Sequence, residues 1–558
     1  MGQLQELALR DFTGGLNLRS NQFNLALNES PSMTYIDIDP RGGFKTRLGW
    51  IRWNQNELVD DPANWNPRNS FTHPLSNGSY QIYIANNNTI HASGPDGIFS
   101  DLQIACGGNN DPDLADFDDW GDSVYIACSP AKQSVRRDGF DAPVLLGDAS
   151  LGYNDDYTVP VKGRFPQCDH VAAHSGYMFA ANIKETDGTT RDNRLRWSHP
   201  NNPEDWANDD YLDIEVGGGR ITGIISFRDH LLIFKTDSMW ALYGYDLQSW
   251  QLIQVSRAIG VPSAPSISRS DTAVYFYSAS GRNGVYGYDG QQPVLLSESL
   301  DPAMEAVAAP EDIWVTWIGR RLWVTVPWTE KLGADSSSST TFVFDPTLQN
   351  GAWVAYKAAV GSFQFGIEGS DIQTNWPLGV IRDAGTTWVG RLDISDRAED
   401  VIGADLAPTP FKASYTTPWM YAGQPERRKS WRRPRFITGK VFQETTVDLS
   451  VYWDYDESDI RRYYRGTGVP AESASVWSSN GLSPGFEWSE LGGGSVNGAD
   501  WGLAAKGSDI RRGTSGLGVS RSLQMTFSTS PNDLPEFNGS PWSFDAVVLK
   551  YLWRRFTT

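Results

Sequence analysis

Two clusters of charged side chains are the places where this chain could do chemistry. The first is Asp111, Asp113, Asp116, Asp118 and Asp119, with Asp122 close behind. Carboxylates at this density suit a divalent cation, or a wall that repels a polyanion. A calcium loop of the EF-hand kind needs ligands at fixed alternate positions, a central glycine and a closing glutamate. The run lacks that complete pattern, so a solvated loop between structural units is favoured over a metal site. An acidic rim facing DNA stays open beside it. The second cluster is Arg427, Arg428, Lys429, Arg432, Arg433 and Arg435, interleaved with Trp431. Basic residues around an aromatic suit phosphates, or cation–π contacts at a protein interface. The chain has 47 Lys and Arg against 67 Asp and Glu, a net charge of -20. The expected partner of the basic run is therefore an acidic face of this protein or of a neighbouring subunit, with a phosphate second.

Other residues give less. His170 and His174 lie four apart in a stretch that reads as strand, about 13 Å from each other, too far to share a metal. Cys106, Cys128 and Cys168 are odd in number and off metal spacing, so unpaired thiols are expected. Gly217, Gly218 and Gly219 follow a strand with no helical pattern after them, which argues against a phosphate loop. No Ser-His-Asp or Cys-His order rises above chance. Carboxylate pairs for glycoside hydrolysis are a property of three-dimensional separation, not of sequence. The expectation is a protein that is not an enzyme, with no catalytic residues, no metal and no cofactor.

The elements that must position these residues are short strands. The chain has 558 residues, with 23 Trp, 22 Tyr, 24 Phe, 54 Gly and 31 Pro, a balance of strands and tight turns. A phrase recurs: a small polar turn, then an aromatic and β-branched run. It reads QIYIA after Asn77-Gly78-Ser79-Tyr80, VYIAC after Gly121-Asp122-Ser123, and YMFAA after Ser175-Gly176. It returns as LLIF after Arg228-Asp229-His230, AVYFY after Asp271-Thr272, and LWVTV after Gly319-Arg320-Arg321. The spacing is roughly 42 to 55 residues, the length of one four-stranded propeller blade. Six copies predict an all-β, six-bladed β-propeller, with seven blades as the variant. Ile381 to Trp388 nearly matches the sialidase Asp-box, a turn element that would support a blade and not an activity. Most tryptophans, such as Trp240, Trp314, Trp317 and Trp323, sit inside strand runs, where blade packing explains them.

The domain reading has three parts. Residues 1–70 form an N-terminal hairpin segment, with strands TYIDID and FKTRLGWIRW around Gly42-Gly43, able to close the propeller. Residues 71–399 form the propeller, and residues 400–558 an antiparallel β-sandwich. The opening MGQLQELALRDFTGG has no basic flank before an apolar core, so no signal peptide is expected. No apolar run approaches a membrane span.

The opening also resembles a family. Gly14-Gly15-Leu16-Asn17, Glu29-Ser30-Pro31, Ile36-Asp37-Ile38-Asp39 and Gly42-Gly43-Phe44-Lys45-Thr46-Arg47-Leu48-Gly49 are similar to the start of tail-nozzle (tail tubular protein B) virion proteins of tailed bacteriophages. Leu195-Arg196-Trp197-Ser198 with Pro203-Glu204-Asp205-Trp206, WQLIQVSRAIG from Trp250 to Gly260, Tyr275-Phe276-Tyr277-Ser278 and Gly284-Val285-Tyr286 resemble them too. The resemblance covers most of residues 10–300, and its motifs are structural phrases. It implies a homo-oligomeric, hexameric ring in the virion tail, made in the host cytoplasm. Such a ring sits below a portal–adaptor ring, touches tail fibres or other tail proteins, and retains and then conducts double-stranded DNA without inserting stably in a membrane. In that setting the Asp111 to Asp119 run is the candidate DNA-facing rim, and the Arg427 to Arg435 run the candidate subunit interface. A tail propeller that binds or cleaves glycans to recognise a receptor is the alternative. A propeller scaffold for cellular partners ranks last, because the Trp-Asp and Gly-His signatures of its commonest family are missing.

Overall fold

The computed structural model describes residues 4–56, 58, 67–86, 90–102, 115–147, 152–155, 164–216, 218–326, 340–348, 351–356, 362–367, 376–383, 386–394, 399–402, 406, 408–411, 413–432, 434–438, 445–468, 486–490, 509–512, 517–529 and 542–554. Among these, regular structure is almost all strand. The one α-helix, Asp301–Glu305, is a single short turn.

Each copy of the recurring phrase is the second strand of a four-stranded antiparallel sheet. QIYIA lies in Tyr80–Asn86, the neighbour of Pro67–Pro74 and Ile90–Ser93. The period-2 geometry of a strand sends Ile82 and Ile84 to one face and Tyr83 and Ala85 to the other. Both faces are buried. Tyr80, Ile82 and Ile84 pack with Val380 and Val389, whereas Tyr83 and Ala85 pack with Phe117, Val124 and Ile126. Each such side chain contributes about 1.5–3 kcal/mol. A strand covered on both faces reads as a continuous apolar run, which is why the phrase recurs so clearly. The turns carry their own requirement. The two-residue links Ser175–Gly176 and Gly319–Arg320 have positive φ at both positions (49° and 81°, 54° and 78°), the conformation that matches a tight hairpin to strand twist.

Seven such sheets follow one another. Their first strands are Pro67–Pro74, Asp116–Trp120, Gln167–His174, Ile221–Phe227, Ile267–Arg269, Trp314–Ile318 and Ser362–Gly366. From the first blade to the seventh, consecutive first strands touch, those of the fourth and fifth through Arg269 and Ser226 O, so they form the inner wall of a ring. The packing of Ile82 and Ile84 on Val380 and Val389 closes it, first sheet against last. The protein is an all-β propeller with seven blades, one more than the copies of the phrase. The seventh blade has no such copy because residues 367–377, not a tight turn, separate its first strand from Leu378–Asp383. Its fourth strand is Gly49–Arg52, paired antiparallel with Thr386–Ile394. The Asp-box-like stretch is the hairpin between the blade's second and third strands.

Apart from two short pairs, Gly15–Leu16 with Glu29–Ser30 and Glu399–Asp400 with Thr409–Pro410, the remaining described strands form two further sheets. Lys429–Trp431, Arg435–Thr438, Asp509–Arg512, Gly518–Ser520 and Ser543–Trp553 make one, together with Gln5–Leu9, Ile36–Ile38 and Phe44–Thr46. Ser32–Thr34 joins Ser414–Thr416, Thr445–Trp453, Arg462–Gly468, Phe486–Glu490 and Leu523–Thr529 in the other. An aromatic core lies between them. Phe44 stacks on Tyr415 at 4.2 Å and on Phe544 at 5.6 Å, and meets Trp542 edge-on at 5.8 Å. The N-terminal segment thus divides: its first strands complete both of these sheets, and its last strand completes the propeller.

Candidate functional site

Hydrogen bonds from side chains stitch the inner wall of the ring from blade to blade. On the inner strand of blade 2, Asp119 Oδ2 lies 3.1 Å from His73 Nδ1 of blade 1. Asp116 Oδ2 lies 3.3 Å from His170 Nδ1 of blade 3. Between them Asp118 accepts from Ala173 N of blade 3 at 2.8 Å and from Asp119 N at 2.9 Å. His174 Nδ1 lies 2.8 Å from Ser226 Oγ of blade 4, Arg269 of blade 5 donates to Ser226 O, and Trp317 N of blade 6 donates to Ser268 Oγ. Burial pushes the Asp118 carboxyl up to about 7, against the pull of Arg269 and the Ala173 N–H. Burial, with the nearby His230, takes the His174 imidazole down to about 4, opposed by Asp229.

These placements bear on the acidic run. Asp116, Asp118 and Asp119 are engaged with neighbouring inner strands rather than presented to a passing polymer, and Asp111 and Asp113 lie outside the described residues. His170 and His174 share a strand but turn to different blades. Two cavities lie among the described inner strands. A cavity of about 80 Å³ lies among Ser70, Asp116, Asp118, Ile224 and Arg269. A larger one of about 530 Å³ opens where the inner strands begin, lined by Asp169, His170, Asn182, Lys184, Asp192 and Arg220 among others. At the larger cavity Asn182, buried and left-handed (φ 55°) at a β-bulge, donates to Asp169. His170, held on one nitrogen by Asp116, also lines that cavity.

The basic run does not form one patch. Lys429 and Trp431 are buried on the same face of a strand flanked on both sides. Lys429 Nζ donates to the carbonyls of Gln424 and Arg521, and burial pulls its pKa down to about 8, with Asp454 opposing and Arg427 adding to the fall. Trp431 Nε1 donates to Ser520 Oγ at 2.9 Å. The aromatic partner of the cations is Trp553, 5.0 Å from both Arg427 and Lys429. Arg428 and Arg432 are exposed; Arg435 lies on strand Arg435–Thr438, and Arg433 is outside the described residues. The tryptophans behave as packing residues: Trp240, Trp314 and Trp323 are buried, and Trp317 stacks on Tyr275 at 5.0 Å.

Sequence reasoning missed the largest buried charge cluster. Arg47 and Asp400, both fully buried, pair through two hydrogen bonds of 3.0 and 2.7 Å, and Asp400 also accepts from Trp50 N at 2.9 Å. The guanidinium lies 4.9 and 4.1 Å from the centroids of the Tyr35 and Phe411 rings, which stack on each other at 4.9 Å. Beside it Asp37 accepts from Arg321 at 2.7 Å and from Tyr356 Oη, and Arg321 also pairs with Asp345 at 3.0 Å. Asp37 and Arg47 belong to the N-terminal segment, whereas Arg321, Asp345 and Tyr356 belong to blade 6. Gly15 packs the same segment onto blade 6: its φ is +69°, and a Cβ there would stand 2.7 Å from Trp353 O. Cys128 is disulfide-bonded, against the expectation of unpaired thiols, because proximity in the fold and not sequence spacing sets a pairing. Cys168 is a free, buried thiol.

The fold and these contacts define a seven-bladed β-propeller fastened to a β-sandwich by its own N-terminal segment. No family model matches the chain, and no curated protein matches it. Among solved structures it is similar to selenomethionine-substituted virginiamycin B lyase from Staphylococcus aureus, at 12% identity and a TM-score of 0.35, covering 60% of this chain and 97% of that one. A likeness at that level carries no activity over to this chain. No helix among the described residues is long and apolar enough to cross a membrane.

Proposed function

We propose that the protein is a structural subunit of a bacteriophage tail, a tile of a hexameric nozzle ring that retains genomic DNA and then conducts it during ejection. One observation carries the reading. The residues that give the opening its family resemblance are those that fasten the two parts of the molecule. Gly15 and Asp37 hold blade 6, Ser30 Oγ donates to Thr416 O at 2.7 Å, Phe44 centres the sandwich core, and Arg47 anchors Asp400. A segment kept for that purpose makes one stiff body from two all-β units, as a load-bearing tile requires. The resembling residues Arg196 and Glu204 act within the propeller: Arg196 is bidentate on Glu185, and Glu204 takes Arg136 from the neighbouring blade.

In this reading the DNA path runs along the axis of the subunit ring, outside any single propeller. The net charge of -20 keeps phosphates from adhering to that path. Subunits related by a closed rotation meet through two different surfaces, and the exposed Arg428 and Arg432 are candidates for one of them. The test is electron microscopy and mass photometry of the full chain, alone and mixed with a portal–adaptor complex. Six-fold rings are the expected product, and a strict monomer in both settings refutes the reading.

A further inference from the structure

The 530 Å³ cavity at the mouth of the propeller is within the range of small-molecule sites, about 300–1,000 Å³. Its charges are not used up by the fold. The side chains of Lys184, at the end of strand Tyr177–Lys184, and of Arg220, just before Ile221–Phe227, make no hydrogen bond or ion pair with any described residue. Asp192 lines the same cavity from Thr190–Trp197, exposed and without an ion pair among the described residues. Asp169 is steadied there by Asn182. The lining adds Ser129, Thr190, Thr222 and Ser263, and contains no Phe, Tyr or Trp.

That mixture selects. A bare anion gains Lys184 and Arg220 but meets the Asp169 and Asp192 carboxylates. A neutral sugar can donate to those carboxylates but gives the cations no charge to pair. A planar aromatic finds no Phe, Tyr or Trp ring to stack on. We propose that this cavity binds a small anionic polyol, a hydroxyl-rich molecule with one carboxylate or phosphate group. The anionic group pairs with Lys184 and with the planar fork of Arg220, which suits either oxyanion, and the hydroxyls donate to Asp169 and Asp192. The site belongs to a single propeller and stands whether or not the chain builds a ring.

The experiment is isothermal titration calorimetry on the full chain with glucuronate, glucose 6-phosphate, glucose and inorganic phosphate. Saturable binding of glucuronate or glucose 6-phosphate is expected, about tenfold or more tighter than glucose or phosphate, and which of the two binds identifies the anionic group. The double variant K184Q/R220Q, both changes at the cavity rim, is expected to lose about tenfold or more, about 1.4 kcal/mol, with an unchanged thermal melt. D192N is expected to weaken the anionic polyol while leaving inorganic phosphate no weaker. No heat from either anionic sugar, equal binding of glucose or of phosphate, or an unchanged affinity in the double variant overturns the proposal.

Discussion

Replacing Asp400 by Ala tests the fastening of the two parts of the molecule. The substitution removes three acceptor contacts at once, two from Arg47 and one from Trp50 N. It leaves a guanidinium with no exposed surface facing the Tyr35 and Phe411 rings, with no counter-charge in the place Asp400 held. Breaking a buried ion pair from one side costs about 3–5 kcal/mol, because the remaining charge stays desolvated. Replacing both partners by apolar residues of similar size, as in R47M/D400L, removes both desolvation costs and is expected to be neutral or stabilising by about 1–4 kcal/mol. Urea denaturation followed by tryptophan fluorescence reads both, since Trp50 packs beside Asp400 and meets Trp323 of blade 6 at 6.0 Å. The wild type is expected to unfold its propeller and sandwich together. D400A is expected to lose about 3–5 kcal/mol and to separate the two transitions, and the double variant to recover most of the loss. A cost below about 1 kcal/mol, the range of an exposed pair, or a double variant no better than D400A, refutes the reasoning.

Two groups of the inner wall give stability opposite dependences on pH. The Asp118 carboxyl titrates near 7 in the fold and near 3.9 when unfolded. Between those values the folded state holds the extra proton, so stability falls as pH rises from about 4 to about 7. D118N is therefore expected to gain on the wild type across that window by up to about 4 kcal/mol, and a difference that stays flat from pH 4 to 8 in denaturation curves counts against it. His174, near 4 in the fold and about 6.5 unfolded, works the other way: the unfolded state takes the proton first, so stability falls as pH drops from about 6.5 to about 4. H174Q is expected to remove that acid-side loss, and an unchanged acid limb in the same measurement contradicts it.

Much of the propeller was legible in the sequence because a blade repeats one local problem. A strand covered on both faces must be apolar at every position, and a hairpin needs its turn, so QIYIA, VYIAC and their kin announce six second strands by themselves. The seventh blade was legible only as a variant, through the Asp-box-like stretch from Ile381 to Trp388 and an N-terminal segment able to close the propeller. Its second strand has no tight turn before it, and its fourth strand is Gly49–Arg52, far away in the chain. The Lys429–Trp431 strand held a clue that charge obscured. Two residues apart on a strand means one face, so a lysine beside a core tryptophan by that count is itself inside, where two carbonyls hold its ammonium.

What the sequence settled alone is therefore local: an all-β chain, the blade unit, and an excess of negative charge, each a property of near neighbours or of a sum. The tertiary structure decided what depends on distant residues meeting. It turned the carboxylates of Asp116, Asp118 and Asp119 into links between blades. It brought Arg47 to Asp400 across 353 positions, and it gathered Lys184, Asp192 and Arg220 at one cavity. Hydrogen bonds and ion pairs act over a few ångströms, and no pattern of neighbours along a chain reports which remote group will stand at that distance.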